Sequence, residues 1–117
     1  MTKLEAIRPL AEAGYACPGI KPADETFGDE SGGCCALSAA FFAAKRRFPG
    51  TAAIAAKDEI FVWVSMEFGA NEDEVHSFLF GFDGYREPWV ALQNNRAFEA
   101  FNLGKELRNR YLGKSAN

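Results

Sequence analysis

The chain has 117 residues, 48% of them apolar and 25% charged, with a net charge of −3. That is the length of one domain, taken to run from 1 to 117, with enough apolar material for a packed core. The composition excludes disordered, collagen-like and coiled-coil chains. No apolar run approaches the roughly 20 residues that span a bilayer, and the acidic balance argues against nucleic-acid binding held by phosphate contacts.

Thr2 and Glu5 form a capping-box pattern, and Leu4, Ile7 and Ala11 follow at helical spacing, so a first helix is predicted that Pro9 keeps short and Gly14 closes. From Tyr15 to Gly33 the chain carries Pro18, Gly19, Pro22, Gly28, Gly32 and Gly33, an irregular stretch of a length that is uncommon without a role. Ser31–Phe48 reads as the central helix, with Leu37, Ala40, Phe41, Ala44 and Phe48 as its apolar stripe. Lys45, Arg46 and Arg47 sit in its last turn, and Pro49-Gly50 stops it.

Four strands are predicted next. Thr51–Ala56 is short and alanine-rich, whereas Ile60–Phe68 and Val75–Phe82 are dense in β-branched and aromatic residues. Asp83-Gly84 is a two-residue hairpin signal, and Tyr85–Val90 returns from it as an edge strand or a bulged one because of Pro88. Asn95–Leu112 is helical by Phe98, Phe101, Leu107 and Tyr111, and Gly113 ends it. The expected fold class is α+β, with helices packed on a three- to four-stranded antiparallel sheet. A hairpin turning at Asp83-Gly84 puts His76, Phe78, Phe80, Phe82, Tyr85 and Trp89 on one aromatic face, which Phe61, Trp63 and Glu67 join if the preceding loop closes symmetrically.

Three cysteines, Cys17, Cys34 and Cys35, are a poor disulfide framework, and the N-terminus lacks the apolar core of a secretory signal. A reducing, cytoplasmic setting with free thiols is expected. Gly32-Gly33-Cys34-Cys35 leads into the central helix, whose first-turn amides and dipole would favour a thiolate and hold an oxyanion. A nucleophilic cysteine needs a base, and the single histidine, His76, stands at the start of a predicted core strand.

A cysteine opening a helix, followed by an antiparallel sheet with histidine beginning a strand, resembles the layout of papain-like thiol hydrolases from Gly32 to Trp89. The resemblance implies Cys34 or Cys35 as nucleophile, with Cys34 preferred as the nearer to the glycines, and His76 as base. The residue that orients the histidine in that family is unassigned here. Glu87 would lie roughly 13 Å from His76 along the strand. Glu67, opposite His76 in the symmetric register, and Asn94 are better placed. The implied activity is a small thiol hydrolase or acyl transferase acting on a small-molecule or peptide substrate.

Plainer readings compete with it. Buried cysteines act as small hydrophobes, and a histidine among phenylalanines is ordinarily a satisfied core residue. Cys17, Cys34, Cys35 and His76 supply zinc-type ligands without the usual spacing, so no metal or other cofactor is assigned. The acidic stretches Asp24-Glu25, Asp29-Glu30 and Glu72-Asp73-Glu74 fit solvated loops or a docking surface for a basic partner. The alternative function is a non-enzymatic acidic interaction or inhibitor domain that binds a macromolecular partner through its loops and through aromatic residues such as Phe27, Tyr85, Trp89 and Phe101. Inert, buried thiols are what that alternative requires.

Overall fold

Ile60, Trp63, Val64 and Phe68 are buried while Val62, Ser65, Met66 and Glu67 are exposed. That spacing of three and four residues belongs to a helix and not to a strand. In the computed structural model, which describes residues 4–29, 31–46, 53–86 and 95–113, the segment is indeed a helix, α3 (Ala53–Phe68). A 3₁₀ turn at Leu4–Ala6 leads into α1 (Ile7–Tyr15), and α2 (Ala36–Lys45), α4 (Glu72–Phe82) and α5 (Asn95–Tyr111) complete the helices among the described residues. Extended pairing there is confined to β1 (Lys21–Pro22) and β2 (Gly33–Cys34), a parallel pair with Lys21 opposite Gly33 and Pro22 opposite Cys34.

The expected α+β class with a three- to four-stranded antiparallel sheet is therefore overturned. The strands expected over Ile60–Phe68 and Val75–Phe82 are helices α3 and α4. Their aromatic and β-branched content signals β structure only weakly, because such propensities report packing context, and here helical burial decides. The acidic run expected to be a loop contains the start of α4. Asn71 accepts from the Glu74 amide at 2.9 Å, and the Glu74 carboxylate accepts from the Asn71 amide at 2.8 Å, a reciprocal capping box. Glu74 is fully buried and meets Nε of Arg96, on α5, at 2.9 Å.

Asp83-Gly84 ends a helix instead of turning a hairpin. Asp83 caps α4, Gly84 takes φ +89°, and the Gly84 and Tyr85 amides donate back to the carbonyls of Gly81 and Phe80. This is a Schellman closure, which the same dipeptide supplies as readily as a hairpin. The aromatic face derived from the hairpin register falls with it. The central helix begins at Ala36, five residues later than expected, since Gly33 and Cys34 are taken into β2. Pro9 is accommodated in the first turn of α1, where no intrahelical amide bond is lost. The Thr2 cap, Phe48, the Pro49-Gly50 stop and residues 87–90 of the strand expected over Tyr85–Val90 lie outside the described residues, while Tyr85 and Arg86 belong to no strand.

Two helix crossings are sealed by glycine. On α1, a Cβ on Gly14 would run into the Ala39 carbonyl of α2. Between α4 and α5, Gly81 faces the Phe101 carbonyl and Gly104 the Phe78 carbonyl, so the two glycines bring the backbones together within continuous helices. Phe41 of α2, Trp63 and Phe68 form a chain of edge-to-face rings, at 5.3 and 5.2 Å, that ties α3 to α2. The described residues contain no helix long and apolar enough to cross a membrane.

Candidate functional site

The backbone of Cys34 and Cys35 organises the irregular loop before it. The Cys34 carbonyl accepts from the Ala23 amide at 3.1 Å and from the Tyr15 hydroxyl at 2.7 Å, and the Cys35 amide donates to the Thr26 carbonyl at 3.0 Å. Asp29 closes the loop from the other side, its Oδ1 accepting from the Ser31 amide and hydroxyl and from the Gly33 amide. The result is to hold Glu25, Thr26 and Phe27 over the start of α2.

A pocket of about 270 Å³ opens beneath that loop. Cys35, the N-cap of α2, contributes to its floor. Lys57 and Phe61, one turn apart on α3, form one wall, and His76, Leu79, Phe80 and Asp83, one face of α4, form the other. Tyr85 stands at the mouth, half exposed, with its ring stacked on Phe80 at 4.3 Å between centroids. His76 meets Phe61 edge to face at 4.9 Å, and the Lys57 ammonium lies 5.6 Å from the centre of the same Phe61 ring.

The electrostatics are set chiefly by burial. Cys34 is 0% and Cys35 2% exposed. Burial, with the neighbouring Cys35 and Asp29 adding to it, pushes the Cys34 thiol up to about 12. Burial also raises the Cys35 thiol, and the amide and hydroxyl of Ser38 and the amide of Leu37 oppose that rise without reversing it. Its sulfur lies 3.6 Å from the Ser38 hydroxyl. His76 is held below the ordinary imidazole range, first by burial and then by the Lys57 cation, with Glu72 and Asp73 pulling the other way. Asp83 is raised by burial and by the nearby Asp24 and Glu25 carboxylates, while the Glu25 amide, which donates to its Oδ1 at 2.9 Å, and Arg108 act against the rise. Arg108, nearly buried on α5, is taken up by Asp24 at 2.7 Å and the Phe82 carbonyl at 2.9 Å.

Of the residues singled out from the sequence, Cys35 and His76 line this one pocket, whereas Cys34 lies in β2 and is not part of its lining. His76 reaches the pocket from the second turn of a helix and not from the start of a strand. Glu67 is exposed on α3 and takes no part in the pocket. Glu87, Asn94 and Trp89 lie outside the described residues, and Phe101 is buried at the α4–α5 crossing. All three cysteines are free thiols, and the described residues bring no three His, Cys, Asp or Glu side chains together as a metal set. Sequence reasoning missed Lys57 and Asp83 as pocket residues, and it offered Glu25 only within the acidic stretch Asp24-Glu25, as a solvated loop or a docking surface for a basic partner. Glu25 holds φ +58°, an uncommon conformation for a non-glycine residue. No family model matches the chain, and the comparisons with curated proteins and with solved structures likewise return no match.

Proposed function

We propose that the chain is a non-catalytic interaction domain that takes a group of a macromolecular partner into the pocket bounded by Phe27, Phe61, Phe80 and Tyr85. One observation carries this reading: the thiol at the pocket floor is buried and kept protonated, while the aromatic mouth is open. A nucleophile needs the reverse, an accessible thiol that ionises near neutral pH. The pocket volume falls under the roughly 300–1,000 Å³ of small-molecule sites and suits a single side chain. The acidic balance of the chain favours a protein partner over a nucleic acid. The three free thiols agree with a reducing, cytoplasmic setting, which belongs to the same proposal.

The test is selection of displayed peptides on the intact protein, followed by counter-screening on Tyr85→Ser and Phe61→Leu. Enriched peptides that share one anchor side chain and lose binding to both variants are expected. Peptides that ignore both substitutions would place binding elsewhere.

A second reading is favoured by a specific observation, that Cys35 and His76 line the same pocket. As a thiol hydrolase, the chain would pass the Cys35 proton to His76 and bond the sulfur to a substrate carbonyl carbon as the leaving group departs with that proton. A water, deprotonated by His76, would then release the acyl group from sulfur, and His76 would return the proton to the thiol. The α2 amides at Leu37 and Ser38 would hold the oxyanion. Among the described residues its papain-like frame has no antiparallel sheet, and burial moves the Cys35 thiol in the wrong direction for it.

A further inference from the structure

Resting on the interaction-domain reading, we infer that the pocket accepts a cation, the ammonium-bearing side chain of a basic segment on the partner protein.

Lys57 shows how such a group is received. Its ammonium stands over the Phe61 ring at 5.6 Å, within the range in which a ring face attracts a cation. Lys57 is itself exposed, and its stem is flexible, so it can leave that position. The carboxylates in the lining are Glu25 and Asp83, against the ammonium of Lys57, since burial and the Lys57 charge disfavour protonation of His76 and Arg108, outside the lining, is committed to Asp24 and the Phe82 carbonyl. The balance is net negative with Lys57 present and more so once it moves aside. The Asp83 carboxyl, raised first by burial, is raised further by the nearby Asp24 and Glu25 carboxylates. An incoming ammonium would meet the Phe61 face and the stacked Phe80–Tyr85 pair while offsetting that repulsion. The net charge of −3 on the chain would draw a basic segment toward it.

The experiment follows the Phe61 and Tyr85 ring signals by NMR while the intact protein is titrated with capped trimethyllysine, with its neutral tert-butyl carbon isostere and with capped glutamate. The cation is expected to bind about tenfold more tightly than the isostere. Lys57→Met, which removes the internal competitor, should tighten it several-fold, and Glu25→Gln should weaken it. Equal binding of cation and isostere at the same rings would overturn the cation inference and leave the aromatic pocket standing. Tighter binding of glutamate would overturn it as well, since it marks a site for anions, and so would weaker cation binding in Lys57→Met, since Lys57 would then support the site instead of competing for it. No response to any probe would also overturn it, and the peptide selection then decides the parent reading separately.

Discussion

Helix α4 uses its two faces in opposite ways. Toward α5 it presents Phe78, Gly81 and Phe82, and the glycines at 81 and 104 let each backbone touch the carbonyls of the other helix. Toward α3 it presents His76, Leu79, Phe80 and Asp83, and leaves a pocket. Stability is concentrated where small residues bring backbones into contact. Binding capacity lies where rings and charged groups stand apart around open space. One helix supplies both because residues 76, 79, 80 and 83 lie on one side of it and 78, 81 and 82 on the other.

The contrast breaks most severely at the glycines. Gly81→Val or Gly104→Val forces a side chain into a facing carbonyl that neither helix can move alone, and each is expected to cost about 3 kcal/mol or more. Thermal unfolding should show the loss, whereas Leu79→Ala on the pocket face should cost clearly less, its side chain being only partly buried.

The buried thiol next to the pocket-floor Cys35 is probed by pH. Below pH 9 the Cys34 thiol is protonated in both folded and unfolded chains. Above it the unfolded chain gives up the proton while the folded thiol, at about 12, keeps it. Stability from this group is therefore full below pH 9 and falls as pH rises from 9 toward 12. At pH 10 the loss is on the order of 1 kcal/mol, read from denaturant unfolding as a downward slope that Cys34→Ala makes shallower.

A smaller and opposite effect is expected at the pocket mouth. Glu25→Gly relieves the positive φ and should stabilise the fold by about 1 kcal/mol. The same change removes a lining carboxylate, so it should weaken binding of trimethyllysine. A variant that melts higher and binds less would identify Glu25 as a residue held in strain for the pocket.

The sequence marks some of these elements plainly. Helix α5 is legible because Phe101 and Leu107 stand at helical spacing and are buried, with Ala97, Ala100, Leu103 and Gly104 on the same side, although Phe98 of the expected stripe is exposed and Tyr111 only partly buried. Helix α3 is obscured by Phe61, Val62 and Met66, apolar residues outside its buried stripe, which make the segment read as a continuous apolar strand. Met66 is 82% and Val62 58% exposed, and nothing in composition distinguishes them from Ile60 or Val64. The Asn71–Glu74 capping box was available as a helix start, but three consecutive acidic residues disguise it as a loop.

Grouping by strand register places Phe61, His76, Phe80 and Tyr85 together, and all four line the pocket for a different reason. Residues four apart share a side in a helix as well as in a strand, so His76 and Phe80 stay together. Phe78 and Phe82, which the strand would add to them, turn toward α5. Glu25 and Lys57 come from segments too far apart along the chain for any local pattern to join them.

The most direct measurement of the central claim, that the pocket thiol is inert and its surroundings bind, is the pH dependence of alkylation at each cysteine in the native protein and in His76→Ala. The expected result is that half-buried Cys17 labels first, and that Cys35 labels slowly below pH 9 at a rate indifferent to His76. Fast labelling of Cys35 below pH 7, lost in His76→Ala, would contradict the account and establish the thiol hydrolase in its place.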